Sequence, residues 1–286
     1  MFGERGTSKS YTALLLAYLA ALGPEDGSIL DFHVRLTVPE PLYLDWEGDG
    51  DTLAWRMKML SEGMGFPVRK IAYRRCSRSL SDDVAQIRAE VLKRNTELIV
   101  IDSLGPACGG DLNSPQPAID FFNALRSIGA SSLILAHTAK NQTGRRSVFG
   151  SIFFEALARS IWQISADQDE GDDSISVGLL HRKMNYGHLQ RPLGLRYTFS
   201  DGSTKVARED VRNVASLATS RLLTDRIVEL LLEEGVMTPK AIADTLGAPE
   251  ETVRPTLTHL RNRKRVTRVE RGKYAALALH DDDEGR

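Results

Sequence analysis

Gly3-Glu4-Arg5-Gly6-Thr7-Ser8-Lys9-Ser10 runs directly into residues 10–22, whose Leu14, Leu15, Tyr18 and Leu19 recur at helical spacing until Gly23-Pro24 ends the run. A glycine-bounded turn feeding a helix aims several backbone N–H groups and the positive end of the helix dipole at one point, which is how a chain binds phosphate. The octet nearly satisfies G-x-x-x-x-G-K-[ST], in which the lysine reaches the outer phosphates and the hydroxyl serves magnesium. Lys9 and Ser10 fill those two positions, and Gly3, Glu4, Arg5, Gly6, Thr7, Ser8 and Tyr11 complete the candidate nucleotide loop. Ser8 stands where the pattern has glycine, so the backbone there has to accept a Cβ. A buried strand normally precedes such a loop, yet only Met1 and Phe2 precede Gly3. Either the true start lies upstream, or the first strand is truncated and its neighbours carry unpaired backbone groups. Taken alone, the octet also reads as a glycine-rich turn that merely caps a helix.

Outward from this point, compact apolar stretches at residues 41–44, 70–73, 97–101 and 132–136 alternate with helical patterns at 51–62, 81–94 and 118–128. That alternation predicts an α/β fold, a mostly parallel sheet with helices on both faces. Residues 158–164 and 174–180 read as further strands, and 195–199 with 205–208 as a hairpin about Asp201-Gly202, an antiparallel extension of the sheet. The first domain is expected over residues 1–208 and a small, polar linker over 209–220. Helical patterns at 221–234, 239–246 and 249–263, then strands at 266–269 and 273–279 about Gly272, describe a winged helix-turn-helix domain over 221–280. Residues 281–286 form an acidic tail.

Composition narrows the function classes. The 286 residues, 42% apolar and 26% charged, exclude disorder for most of the chain. With 37 Lys+Arg against 38 Asp+Glu the formal charge is -1, so any attraction to nucleic acid has to come from a local patch. Such a patch exists between Arg254 and Lys273, where eight basic residues face one acid, Glu270. Arg261, Arg263, Lys264 and Arg265 form its densest part and are the candidate contacts to duplex DNA, although a protein-docking face fits the same pattern. Cys76 and Cys108 are too few for a disulfide scaffold or a zinc cluster, which suits a reducing cytoplasm. The apolar stretch at 11–22 is shorter than the roughly 20 residues that span a bilayer, and no leader pattern precedes it, so a cytoplasmic protein with no membrane partner is expected.

Two strand ends supply carboxylates. Glu97-Leu98-Ile99-Val100-Ile101-Asp102-Ser103 ends an apolar strand in Asp102, placed to hold magnesium together with Ser10. Leu42-Tyr43-Leu44-Asp45-Trp46-Glu47 ends in two, one of which is suited to deprotonate an attacking water. An ordinary strand-to-turn junction is the plainer reading of either Asp.

The order of these motifs over residues 3–199 resembles the RecA/DnaB-like P-loop ATPases of the broad AAA group, and more narrowly the plasmid replicative helicase type often called the RepA family. The resemblance implies ATP and Mg2+ as ligands, Glu47 rather than Asp45 as the catalytic base, and Asp102 on magnesium. Leu133-Ile134-Leu135-Ala136-His137-Thr138 resembles the family's next strand, which implies that His137 senses the terminal phosphate. Asn141 to Gly150 follows where the family carries a loop facing a central channel, with Arg145 and Arg146 as candidate contacts to single-stranded DNA, although a merely exposed basic loop fits the same residues. His181-Arg182-Lys183-Met184-Asn185-Tyr186-Gly187 resembles the segment that reaches a neighbouring subunit's ATP, which implies a homo-oligomer, in this family often a hexamer, with Arg182 or Lys183 acting in trans. Asn185 stands where related chains often have arginine, which leaves the acting cation open. Beside the motor reading stand two others, a nucleotide-switched DNA-binding regulator or loader and an inactive fragment.

Overall fold

Leu42, Leu44, Ile99 and Ile101 face one side of a sheet while Tyr43 and Val100 face the other, and all six are buried. Near-continuous apolar strands of this kind belong to a parallel sheet covered on both faces. The computed structural model describes residues 1–138, 147–211, 214 and 223–277. The chain divides into two units, Met1–Ala218 and Thr219–Arg286.

In the first unit β1 (Phe2–Gly3) leads into α1 (Lys9–Gly27), then β2 (Leu42–Asp45), α2 (Gly50–Met64), β3 (Ala72–Arg75), α3 (Val84–Arg94) and β4 (Leu98–Asp102). Next come α4 (Leu104–Cys108), α5 (Pro115–Ile128), β5 (Ser131–Ile134), β6 (Ala136–His137) and α6 (Ile152–Leu157). The unit continues with β7 (Ser160–Asp167), β8 (Ser174–Met184), β9 (Leu193–Ser200) and β10 (Ser203–Glu209). One row of strands runs β3-β2-β4-β5 and a second β6-β1-β7-β8-β9-β10. Leu135 joins them, since its N–H donates to Ile101 and the following residue, Ala136, donates to Met1. Pairing is parallel from β3 through β7 and antiparallel from β7 to β10. The expected α/β architecture with its antiparallel extension is therefore present. Helices α3 and α5 cover one face through Ile87, Val91, Phe121 and Leu125, and α1 and α2 cover the other through Leu14, Leu15, Leu53 and Leu60.

Some details depart from the sequence reading. The strand ahead of the loop is not wholly missing, because Phe2–Gly3 pairs with both β6 and β7. Toward their amino ends, β5 and β7 each lack a second described partner, and between them lies a cleft of about 870 Å³ lined by Leu125, Leu133, Ile161 and Trp162. Strand β3 sits two residues later than expected, because Asp45 pairs with Arg75 and so fixes the register of Arg74 and Arg75, which carry no apolar signal. Helix α3 starts three residues late, since residues 79–83 make turns in which Asp83 N–H donates to the Ser79 carbonyl.

The second unit holds α7 (Leu223–Glu234), α8 (Pro239–Leu246), α9 (Glu250–Asn262) and a hairpin of β11 (Val266–Glu270) and β12 (Lys273–Ala276). Ile227, Leu231, Ile242, Val253, Leu257 and Val266 form its core. Thr238 caps α8 by accepting the Ala241 N–H, and Gly247 ends it in the left-handed region. The acidic tail at 281–286 lies outside the described residues.

Helix α2 crosses β10 at Gly63, where an added Cβ would lie 2.1 Å from the Thr204 carbonyl oxygen. Backbone on both sides leaves no flexible atom to yield. Gly63→Ala is expected to lower stability by about 1–3 kcal/mol, the usual range for overpacking, read as a reduced denaturation midpoint with an unchanged slope.

Candidate functional site

Strand β1 delivers the loop. Only glycine fits at position 3, because a Cβ there would meet the Ile164 carbonyl oxygen at 2.4 Å. Gly6 has φ +76°, and Ser8 adopts φ 56°, ψ 28° as the residue before α1. The serine thus keeps the left-handed backbone that the glycine of the pattern supplies without cost. Thr7 is buried, and its hydroxyl donates to the Glu4 carbonyl at 2.9 Å; Glu4, Arg5 and Gly6 are exposed at the loop's tip.

Lys9 folds back into the loop. Its ammonium donates to the carbonyls of Gly3, at 3.1 Å, and of Glu4. Burial lowers its pKa, while the carboxylates of Asp102 and Glu47 pull the other way. Among the described residues the ammonium makes its hydrogen bonds to backbone carbonyls and the Thr7 hydroxyl and none to a carboxylate, and a phosphate would supply a direct anionic partner.

Opposite the lysine, Asp102 ends β4 almost fully buried, with the Tyr43 hydroxyl donating to its Oδ2 at 2.6 Å. Burial raises its pKa and the hydrogen bonds of Ser10 and Tyr43 hold it down. A hydroxyl and one carboxylate already in contact fit a magnesium ion, which takes few protein ligands and completes its shell with phosphate and water. No cluster of three or more His, Cys, Asp or Glu side chains suited to a metal occurs among the described residues.

Asp45 and Glu47 divide their work. Asp45 is 5% exposed; its Oδ1 accepts the N–H groups of Glu47 at 2.9 Å and Gly48 at 2.7 Å, and its Oδ2 the Tyr73 hydroxyl at 3.3 Å. It is a turn residue that fixes the segment. Glu47 projects into the opening, where its Oε1 accepts the Ser103 hydroxyl and lies 3.8 Å from His137 Nε2. His137 ends β6 directly beside Gly3. Burial and the Lys9 charge lower its pKa, so the imidazole is neutral at neutral pH, and its buried Nδ1 has no partner among the described residues. A cleft of about 190 Å³ lies behind these groups between Ser10, Tyr43, Asp45, Glu47, Arg56 and Asp102.

The remaining candidates fall elsewhere. The Tyr11 side chain is a core group, its hydroxyl 3.2 Å from that of Thr204 and its ring against Tyr197 and Phe199, so it turns away from the loop. Arg182 and Lys183 share a face of β8 because a β-bulge opposite Ile161 inserts an extra residue. Arg182 forks onto Gln163 Oε1 at 2.9 and 2.7 Å, and Lys183 donates to the carbonyls of Glu155, Ala156 and Ala158 at the end of α6. Lys183 pairs with Ile161, two residues back along β7 from Gln163, the partner of Phe2, so both cations lie on the side away from their own loop. Arg145 and Arg146 lie outside the described residues. In the second unit Arg261, Arg263 and Lys264 are exposed at the end of α9, and Arg265, half-exposed, pairs with Asp225 of α7 at 2.8 Å. Glu250 and Glu251 at the start of α9 put acid where a groove-reading helix would present its first residues.

Sequence reasoning missed Ser103 and Tyr43. The signal for Ser103 was its place directly after Asp102; that for Tyr43 was one polar tip between two leucines.

Residues 1–143 match the model of a family described as AAA domain. A KaiC-like protein from the hyperthermophilic archaeon Pyrococcus horikoshii is similar in structure at 18% identity and a TM-score of 0.48, over 72% of this chain and 87% of that chain. No curated protein matches the chain. No helix among the described residues is long and apolar enough to cross a membrane.

Because Ser8 holds a left-handed backbone, Ser8→Gly is expected to retain the loop and raise stability by up to about 1 kcal/mol, the cost of a Cβ in that region offset in part by glycine's unfolded-state entropy. Thermal unfolding of the two proteins side by side measures it.

Proposed function

The chain belongs to the AAA domain family, and on that premise we propose that it is a RecA-like P-loop motor that binds and hydrolyses ATP and acts on DNA, helicase-like, in the replication or recombination of a mobile element. The convergence of Lys9, Ser10, Glu47, Asp102 and His137 at the carboxyl ends of β1, β2, β4 and β6 carries this reading. The loop N–H groups and Lys9 bind the triphosphate. Ser10 and Asp102 hold Mg2+, which neutralises phosphate charge when bound. Glu47 takes a proton from the water whose oxygen attacks the terminal phosphorus as the bond to the ADP oxygen breaks. His137, against the same carboxylate, reports the state of that phosphate to the segment after it.

Arg182 and Lys183, on the side of the sheet away from their own loop, suit a neighbour's nucleotide in a homo-oligomeric ring, each giving up its present partner to do so. Arg145 and Arg146 track single-stranded DNA. The three helices and hairpin of the second unit are read as a winged helix whose Arg261, Arg263 and Lys264 contact duplex phosphates. That basic cluster also favours a second reading, a nucleotide-switched DNA-binding regulator or loader; ATP-dependent unwinding of forked DNA by the full chain supports the motor, and DNA-stimulated turnover without unwinding supports the switch.

Lys9→Ala is expected to abolish nucleotide binding, whereas Glu47→Gln retains it and slows hydrolysis on the order of a hundredfold or more, the scale of losing a positioned base. Nucleotide affinity unchanged by Lys9→Ala contradicts the proposal. For the second unit, replacing Arg261, Arg263 and Lys264 by Ala in the full chain should flatten the salt dependence of duplex binding by up to about 2.7 logarithmic units, roughly 0.9 for each of three phosphate contacts.

A further inference from the structure

The main chain around Glu47 is fixed at several points. Trp46 N–H donates to the Asp102 carbonyl at 2.7 Å, and Asp45 Oδ1 holds the N–H groups of Glu47 and Gly48. The Glu47 side chain is another matter, since it is 49% exposed. A half-exposed carboxylate on two methylenes samples several rotamers unless something holds it, and a base that wanders loses its alignment with the attacking water. The Ser103 hydroxyl donates to Glu47 Oε1 from a site only 2% exposed. Its own position is rigid: Ser103 directly follows Asp102 at the end of β4, and the next residue, Leu104, donates its N–H to the Leu135 carbonyl at 2.7 Å.

We propose that Ser103 is the positioning residue for the base, an inference that rests on the ATPase reading above. Its hydroxyl occupies Oε1, the oxygen His137 also approaches, and leaves Oε2 to take the proton from water. An O–H donor to a carboxylate is among the stronger hydrogen bonds of a protein, strong enough to select one rotamer. Ser103 adjoins the magnesium-binding carboxylate, so the anchoring that fixes Asp102 at the end of β4 also fixes the donor that aims Glu47. Metal ligation and base alignment are thereby joined through one peptide unit.

The test compares the full-length parent with Ser103→Ala, Ser103→Thr, Glu47→Gln and the Ser103→Ala/Glu47→Gln double variant, by nucleotide affinity, KM and single-turnover hydrolysis. Ser103→Ala should bind nucleotide within about twofold of the parent while kcat falls roughly tenfold, the scale of a misaligned catalytic group. Ser103→Thr, which keeps the hydroxyl, should recover to within about threefold of the parent. In the Glu47→Gln background Ser103→Ala should cost nothing further, because its effect passes through that carboxylate. Should Ser103→Ala not fold, Ser103→Cys keeps the volume, weakens the donor and carries the same comparison. An active parent whose Ser103→Ala variant keeps parental kcat, or whose loss persists undiminished beside Glu47→Gln, overturns the role of Ser103 alone. A parent that binds but never hydrolyses ATP overturns the ATPase reading and this inference with it.

Discussion

Lateral register between parallel strands is the constraint from which the site follows. Asp45 lies directly opposite Asp102, and Gly3 directly opposite His137. A slip of one residue in any pairing would turn these side chains to the other face of the sheet and bury charge in a core of Leu and Ile. The apolar alternation of β2 and β4, packed on both sides, forbids the slip. Core packing thus sets the alignment of the polar groups at the strand ends.

Electrostatically the site is poised for an anion. Asp102 and Glu47 bear on a buried lysine whose ammonium rests on carbonyl oxygens, and burial works against the charged forms of Lys9 and Asp102 alike. A polyphosphate with its metal would give both groups an opposite charge at once, so binding relieves a cost the folded protein already bears. Asp45 and Tyr43 hold the surrounding groups in place by hydrogen bonds, so little has to reorganise when that happens.

How much of this was legible in the sequence depends on the range of the cause. The loop, α1 and the apolar strands follow from local pattern, and the carboxylates at residues 45, 47 and 102 mark their own strand ends. Phe2–Gly3 is too short for periodicity to register, and its identity as a strand comes from neighbours more than 130 residues away in the chain. Tyr11 belongs to the core because β9 and β10 fold back over α1, and Arg265 is tied to Asp225 across 40 residues. The bulge that places Arg182 and Lys183 on one face depends on the pairing of β8 with β7, which no window of either strand contains. The contact between Ser103 and Glu47, 56 residues apart in the chain, forms only because β2 and β4 lie side by side.

On the proposed function, one edge of the sheet grips the phosphates and metal of ATP. A crystal structure of the full chain with Mg2+ and a non-hydrolysable ATP analogue tests it most directly. The terminal phosphates are expected on Lys9 Nζ and the loop N–H groups, with magnesium at about 2.1 Å from Ser10 Oγ and Asp102 in its ligand sphere directly or through water. Phosphates bound away from the loop, or a metal with neither Ser10 nor Asp102 in its shell, would contradict it.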